Sequence, residues 1–458
     1  VSALTVEKWI GVLAPRLQRQ AAAAQRWDAY YDGRQPLSYL APELLRELDG
    51  RIRAVVVNWP RLVVDSVDER LDVEGFRYGT DDAGDDRLWS WWQANDLDEG
   101  SQMAHVDALA TGTSFVSVGS GDAGVPVVTV ESSEQVTVDC DPRTRAVRAA
   151  WKCWRDDVEG VEHATLYLPS GTSWYARPVA PGSAAGTGWV LQDSDQHGLG
   201  VVPVVPVANR PRTLAPLGQS ELVDVVPLSD AACKVATDMM VAAEFHAMPR
   251  RWVVGMTEAD FTDAQGNQIG EWSRVAGRLW ATGALPSEVQ MGQFAEASLS
   301  NFHDTINALA RLVASLAGLP PHQLGMTTDN PASADAIRSS ETRLVKRAER
   351  RQRSFGGSWE SVMRLCLLIA DGEVPDEARA LTTVWRDAAT PTIAQKADAA
   401  VKLYAGGITS RRQAREDVGY SETQIKRMQS DDQQAASDQL TADLVGAFGA
   451  AGVPASAS

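Results

Sequence analysis

"ASADAIRSSETRLVKRAERRQRSFGGSWESVMRLCLLIA", residues 332–370, decides the architecture of this chain. It reads as one long helix, with a kink expected only at Gly356-Gly357. At 1.5 Å per residue it spans roughly 55–60 Å, longer than an ordinary single domain requires. Between positions 338 and 353 it carries Arg338, Arg343, Lys346, Arg347, Arg350, Arg351 and Arg353, accompanied only by Glu341 and Glu349. The chain as a whole has a net charge of −17, so a local positive patch calls for a partner. The two candidates are acidic elements of the same or a neighbouring subunit, and DNA phosphates.

The 458 residues are enough for two to four structural units, and a hydrophobic fraction of 44% can build sizeable cores. The acidic balance argues against a general nucleic-acid-binding surface. Fifteen tryptophans, some clustered as in Trp89, Trp91 and Trp92, imply broad packing surfaces between elements or subunits. Cys140, Cys153, Cys233 and Cys366 lack metal-ligand spacing and do not form a disulfide framework. No basic leader is visible, and no apolar run reaches the ~20 residues a bilayer requires. A soluble protein made in the cytoplasm is therefore expected.

Upstream of the long helix, the chain reads in blocks. Residues 1–50 are helical and end in "YYDGRQPLSYL". Val55 to Val57 read as the end of a buried strand. Asn58 then caps a helix with Pro60 in its first turn. Leu62, Val63, Val67 and Leu71 fall on one face of that helix, Asp65, Asp68, Glu69 and Arg70 largely on the other, and Gly75 permits the exit. "DDAGDD", 81–86, is an acidic loop, and 87–112 is helical. From 113 to 208, short strands separated by turn residues indicate an antiparallel sheet, with "PGSAAGTG", 181–188, as a flexible loop.

Residues 218–247 are helical, with apolar Leu222, Val225, Val226, Cys233, Ala236, Met240 and Ala243; Pro227 breaks the segment or starts its main helix. Strands "RRWVVGM" and "GRLWAT" follow around a turn at "DAQGNQ". Leu299, Phe302, Ile306, Leu309, Val313 and Leu316 then form the narrow seam of a helix packed along other helices, within one chain or between chains. "GLPPHQLGMTTDNPAS", 318–333, cannot be helical throughout. After the long helix, short helices are capped at Thr390-Pro391 and stopped at Gly406-Gly407, and the tail from 431 frays.

Catalytic signatures are missing. There is no Gly-Lys dipeptide and so no phosphate-cradling loop of the G-x-x-x-x-G-K-[ST] type, which argues against a P-loop ATPase. H-E-x-x-H, G-x-S-x-G and C-x-x-C are also absent. His163 beside Glu162 reads as a surface-strand pair, and "DAQGNQIGE" as a hairpin turn rather than a calcium loop. "TSRRQAREDVGYSETQIKRM", 409–428, reads as two packing helices around Gly419, only loosely like a DNA-reading motif. No catalytic residue, cofactor or metal site is expected.

Three segments carry a resemblance: "YYDGRQPLSYL" (30–40), "VVVNWPRLVVDSVDERLDVEGFRY" (55–78) and "DNPASADAIRSSETRLVKRAERRQRSFGGSWESVMRL" (329–365). Together they closely resemble the portal proteins of tailed bacteriophages, in the siphophage branch common in phages of actinobacteria. The likeness extends over about residues 20–430. It implies an α+β, mainly helical portal fold with antiparallel strands in the wing and clip. On this chain the wing would be 1–217, the two stem helices 218–247 and 296–317, and the clip 248–295 between them. The tunnel loop would be 318–333, the long wing helix 332–370, the crown 371–430 and the flexible tail 431–458.

The resemblance further implies a ring, usually of twelve subunits, at one capsid vertex of the virion. Double-stranded DNA would pass through it without sequence specificity during packaging and ejection. Partners would be the terminase large subunit, a head–tail adaptor, and capsid and scaffolding proteins, with no membrane. The tunnel-loop residues Gln323, Gly325, Met326, Thr327, Thr328 and Asn330 would lie nearest the DNA, and Trp252, Trp272 and Trp280 of the clip would meet a partner. Twelve copies at −17 sum to roughly −200, which repels DNA on average and favours passive guidance, with the terminase supplying the energy. Two other classes fit less well: a head or connector protein without a DNA channel, and an enzymatic terminase subunit.

Overall fold

The computed structural model describes residues 5–36, 55–79, 84–178, 188–247, 251–254, 290–293, 299–326, 334–389, 393–420 and 422–450. It is an α+β protein. The chain divides into two compact units, one of residues 1–25, 65–220 and 345–458, the other of 26–64 and 221–344.

The first unit begins with helix α1 (Val6–Tyr31). Its Trp9, Leu13 and Leu17 recur every four residues and so share one face, which packs on Ala149, Trp151, Ala164, Leu166 and Tyr175. Those residues belong to a five-stranded antiparallel sheet of β4 (Val136–Cys140), β5 (Val147–Asp156), β6 (Val161–Leu168), β7 (Gly171–Pro178) and β8 (Val190–Asp195), paired in chain order. Arg16 ties the helix to the sheet by donating to Val138 O and Asp139 Oδ1, at 2.9 and 3.0 Å. A second sheet of three strands has β2 (Thr113–Gly119) between β3 (Val127–Glu131) and β9 (Val204–Ala208). Of the loop at 181–188, all but Gly188 lies outside the described residues.

Helix α2 (Trp59–Asp68) starts as expected, with Asn58 Oδ1 accepting from Arg61 N at 3.3 Å. Val63, Val67 and Leu71 are fully buried. Two expectations around it are corrected. Val55–Val57 are extended but form no strand, because side chains of a helix satisfy their backbone: Val57 N–H meets Cys233 Sγ at 3.2 Å and Ser229 Oγ donates to Val57 O at 2.8 Å. Gly75 is no helix exit either. The helix ends at Asp68, and Gly75 lies within strand β1 (Val73–Arg77), where the pairing register shifts. The partner of β1 is β12 (Thr382–Trp385), about 300 residues away in the chain and not foreseen.

The helical stretch 87–112 is two helices, α3 (Asp86–Ala94) and α4 (Leu97–Thr111), parted at Asn95-Asp96. Their tryptophans serve an intrachain core. Trp92 lies 5.4 Å from Phe76 and 5.0 Å from Trp359, and His105 stacks on Phe355. His105 Nε2 accepts from Trp359 Nε1 at 2.8 Å, and full burial pulls its pKa down to about 3.

Helix α5 (Val226–Ala247) in the second unit begins with Pro227 in its first turn. Leu222, Val225, Val226, Cys233 and Ala236 are buried as read, whereas Met240 is 47% exposed. Strand β10 (Arg251–Val254) exists, and among the described residues it pairs with β11 (Gln290–Gln293); "GRLWAT" and the turn at 263–271 lie outside them. Helix α6 (Ser300–Ala317) packs on α5. Its buried residues are Ala310, Val313, Ala314 and Ala317, so the expected seam fails at Leu316, which is 53% exposed.

The long helix α7 runs Ala334–Asp371, 38 residues, and stays helical through Gly356-Gly357. Beyond it, α8 (Ile393–Ala405) stops at Gly406-Gly407, with Gly407 at φ +69°. Helices α9 (Arg411–Val418) and α10 (Glu422–Ala450) flank Gly419. The stretch 431–450, read as a fraying tail, continues as helix, in keeping with its alanine, glutamine and leucine content.

Candidate functional site

The seven basic residues at 338–353 of α7 do not make one patch. A helix turns about 100° per residue, so neighbours in sequence face different ways. Arg351 is 6% exposed and points inward; its Nε donates to Asn209 Oδ1 at 3.2 Å and its Nη1 to Arg347 O at 3.3 Å. Asn209 is a hub, taking Gly112 O with its N–H and giving its own O to Gln219 N. A Cβ on Gly218 (φ +88°) would fall 2.2 Å from Asn209 O, so only glycine fits this turn.

Lys346, Arg350 and Arg353 are exposed, and Glu349 is the carboxylate among them, 2.8 Å from Lys346 and 4.0 Å from Arg353. Arg343 donates to Ser315 O, in the last turn of α6. The side chain of Arg338 lies outside the described residues, although its backbone is helical.

Arg343 also brings the basic helix to the candidate loop. Gly318 (φ +68°) ends α6, and a Cβ there would sit 3.0 Å from Arg343 Cγ, so glycine lets the arginine stem lie across the helix end. Pro321–Leu324 form a short 3-10 turn closed by Gly325 at φ +73°. Arg311, Gly318, Met326 and Arg343 line one cavity of about 550 Å³, whose charged lining residues are both arginines. Met326 thus lines a cavity with the basic helix, Gly325 has open space around it, and Thr327, Thr328 and Asn330 are outside the described residues. Gln323 is half-buried in the same turn. Arg311, which shares α6 with one carboxylate, Asp304, gave no sequence signal.

For the clip, Trp252 lies in β10 opposite Gly292; its side chain, together with Trp272 and Trp280, lies outside the described residues. His163 and Glu162 are not a working pair. Adjacent strand residues face opposite ways, so Glu162 meets Arg177 whereas His163 stacks on Trp154 at 5.4 Å. All four cysteines are free thiols, and burial raises Cys153 and Cys366 to about 12. Among the described residues no helix is long and apolar enough to cross a membrane.

The fold and this arrangement fit a structural assembly protein, and the family follows from comparison with known proteins. Residues 11–438 match the family described as "Phage portal protein, SPP1 Gp6-like", so the chain belongs to the phage portal protein family. It is 39% identical to the portal protein of Mycobacterium phage D29 across 83% of this chain and 79% of that one. To the portal protein of Mycobacterium phage L5 it is 37% identical, across 89% and 84%. A looser likeness covers 88% of this chain and 94% of a chain from a structure titled "Neck of empty GTA particle computed with C6 symmetry", at 13% identity and TM-score 0.43.

Proposed function

We propose that this chain assembles head to tail into a closed ring, usually of twelve copies, at one capsid vertex of the virion. Double-stranded DNA enters and leaves through the central channel. The strand-bearing segment 248–295 docks the terminase large subunit and later a head–tail adaptor, and the wing meets capsid and scaffolding proteins. The chain guides DNA passively and the terminase supplies the energy.

One observation carries the ring. Helix α6 buries Ala310, Val313, Ala314 and Ala317, yet leaves Leu312 and Leu316 on its other side 52% and 53% exposed. An unpartnered apolar stripe on a helix favours cover by another copy. A head-to-tail contact closes into a ring if the rotation between copies closes. In such a ring, Gln323, Gly325, Met326, Thr327, Thr328 and Asn330 would be the residues nearest the DNA, offering uncharged groups that touch phosphates without a strong grip.

Electron microscopy of the purified protein tests the reading. Closed rings with a central channel are expected. Rings without a channel would favour a plain connector, and particles that are monomeric at every salt concentration would refute assembly. Placing lysines at Thr327 and Thr328 should leave ring shape unchanged and slow packaging, more so at low salt.

A further inference from the structure

The first unit holds a second charged surface. Among the described residues, strands β1 and β12 on one side and helices α8 and α9 on the other enclose an open cleft of about 1120 Å³. Six carboxylates line it (Asp72, Glu74, Asp98, Asp387, Glu416 and Asp417) against three cations. Two of those cations are committed: Arg386 bridges Asp72 and Glu74, and Lys396 leans on Asp387 at 3.8 Å. Glu416 is paired with Arg412 at 3.0 Å from outside the lining, whereas Asp98 takes neutral donors, Trp92 Nε1 and Gln93 Nε2, and Asp417 accepts from Gln413. The cleft therefore keeps a negative surplus. Trp89, Trp385 and Tyr420 also line it and offer π faces, which suit arginine better than lysine.

The same unit displays a complementary surface on α7. At about 100° per residue, Lys346, Arg350 and Arg353 fall within an arc of about 60°, on the side away from buried Ala348, Phe355 and Trp359. Lys346 and Arg353 share one carboxylate, Glu349, so the three cations keep a positive surplus. Gln352, on the opposite side of the helix from the stripe, donates to Arg70 O and Arg386 O, beside the cleft wall. Stripe and cleft thus face different ways from one subunit, as the two halves of a head-to-tail contact must.

We infer that the cleft of one subunit receives the Lys346–Arg350–Arg353 stripe of a second copy of this chain. The inference rests on the ring reading above and deepens it. It assigns the exposed part of the basic helix to a neighbouring subunit rather than to DNA. A cleft with negative surplus repels phosphate, whereas a guanidinium entering it gains both carboxylates and aromatic faces.

The test uses the full chain with native mass measurement at 150 mM salt. One variant reverses the stripe (Arg350→Glu with Arg353→Glu), a second reverses the cleft (Glu74→Lys with Asp417→Lys), and a third combines all four changes; circular dichroism checks that each folds. Each reversal alone should lower the ring fraction at least about tenfold, and the combination should recover most of it. Arg350→Cys together with Asp417→Cys should yield intersubunit crosslinks with a short bis-maleimide. If wild-type rings form but tolerate both reversals and give no crosslink, this inference alone falls. The same holds if stripe reversal leaves rings intact but slows DNA packaging, which would assign the stripe to phosphates. If the wild type forms no rings at all, the ring reading falls and this contact falls with it.

Discussion

Asp68 lies at the end of α2 with Oδ1 buried and, among the described residues, without a hydrogen-bond partner. Burial first, then the charges of Asp65, Asp72, Glu69 and Glu99, push its pKa from 3.8 up to about 7. A folded-state pKa above the unfolded one means that the folded chain holds the proton more tightly. The ionised group costs nothing below about pH 4, and the cost grows as pH rises to about 7 and then levels off. Asp68→Asn should therefore raise stability at pH 8 by about 1–3 kcal/mol, a figure that allows for partial exposure, and the gain should shrink toward pH 4. Thermal melts of both proteins across that range check it; a gain independent of pH would show that the carboxylate stays ionised. The sequence put Asp68 on the polar face of α2, correctly by helical phase. It could not reveal Glu99, which arrives from another helix.

At the scale of elements, Gly356 and Gly357 show what a residue pattern can hide. Both suggested a kink; α7 keeps its helical hydrogen bonding across them, and only one of the two has a packing reason to be glycine. A Cβ on Gly356 would lie 3.0 Å from Trp385 Nε1, where β12 crosses the helix, and Thr383 Oγ1 donates to Gly356 O at 3.1 Å. A Cβ on Gly357 would meet nothing within 4 Å. Gly357→Ala should stabilise by about 0.5–1 kcal/mol, the ordinary helix-propensity gain. Gly356→Ala should fall at least about 1 kcal/mol below it, because Trp385 must shift. Chemical denaturation of the two variants decides; equal gains would mean that β12 does not bear on the helix. Long periodic elements were legible, namely α1, α7 and the strands from 113 to 208. Elements fixed by remote partners were not. The four residues of β12 make sense only beside β1, and Val55–Val57 look like a strand until Cys233 and Ser229 are seen to satisfy their backbone. The cleft drew no signal at all, since its walls come from four distant segments.

For the whole molecule, the decisive surface is the one that a single chain leaves uncovered. The expected seam of α6 mixed two faces: Val313 points into the chain's own packing, and Leu316 points away from it. Exposing one leucine is unremarkable, but Leu312 and Leu316 stand one turn apart on the same side, 52% and 53% exposed. Full burial of a leucine contributes about 1.5–3 kcal/mol, so if a neighbouring copy covers these two residues, their repetition at every contact would supply a large share of the driving force. Leu316→Asp should leave the helical circular dichroism of the subunit unchanged, because that position contributes little to its own fold, while ring formation is lost. Leu316→Met, which keeps the apolar volume, should assemble like the wild type. Salt separates this contact from the charged one: the leucine contact should persist in 1 M salt, where exposed ion pairs are screened. Native mass spectra of both variants at low and high salt give the answer. Rings of normal size from Leu316→Asp would show that the exposed side of α6 faces solvent in the assembly, and another surface would then have to hold the ring together.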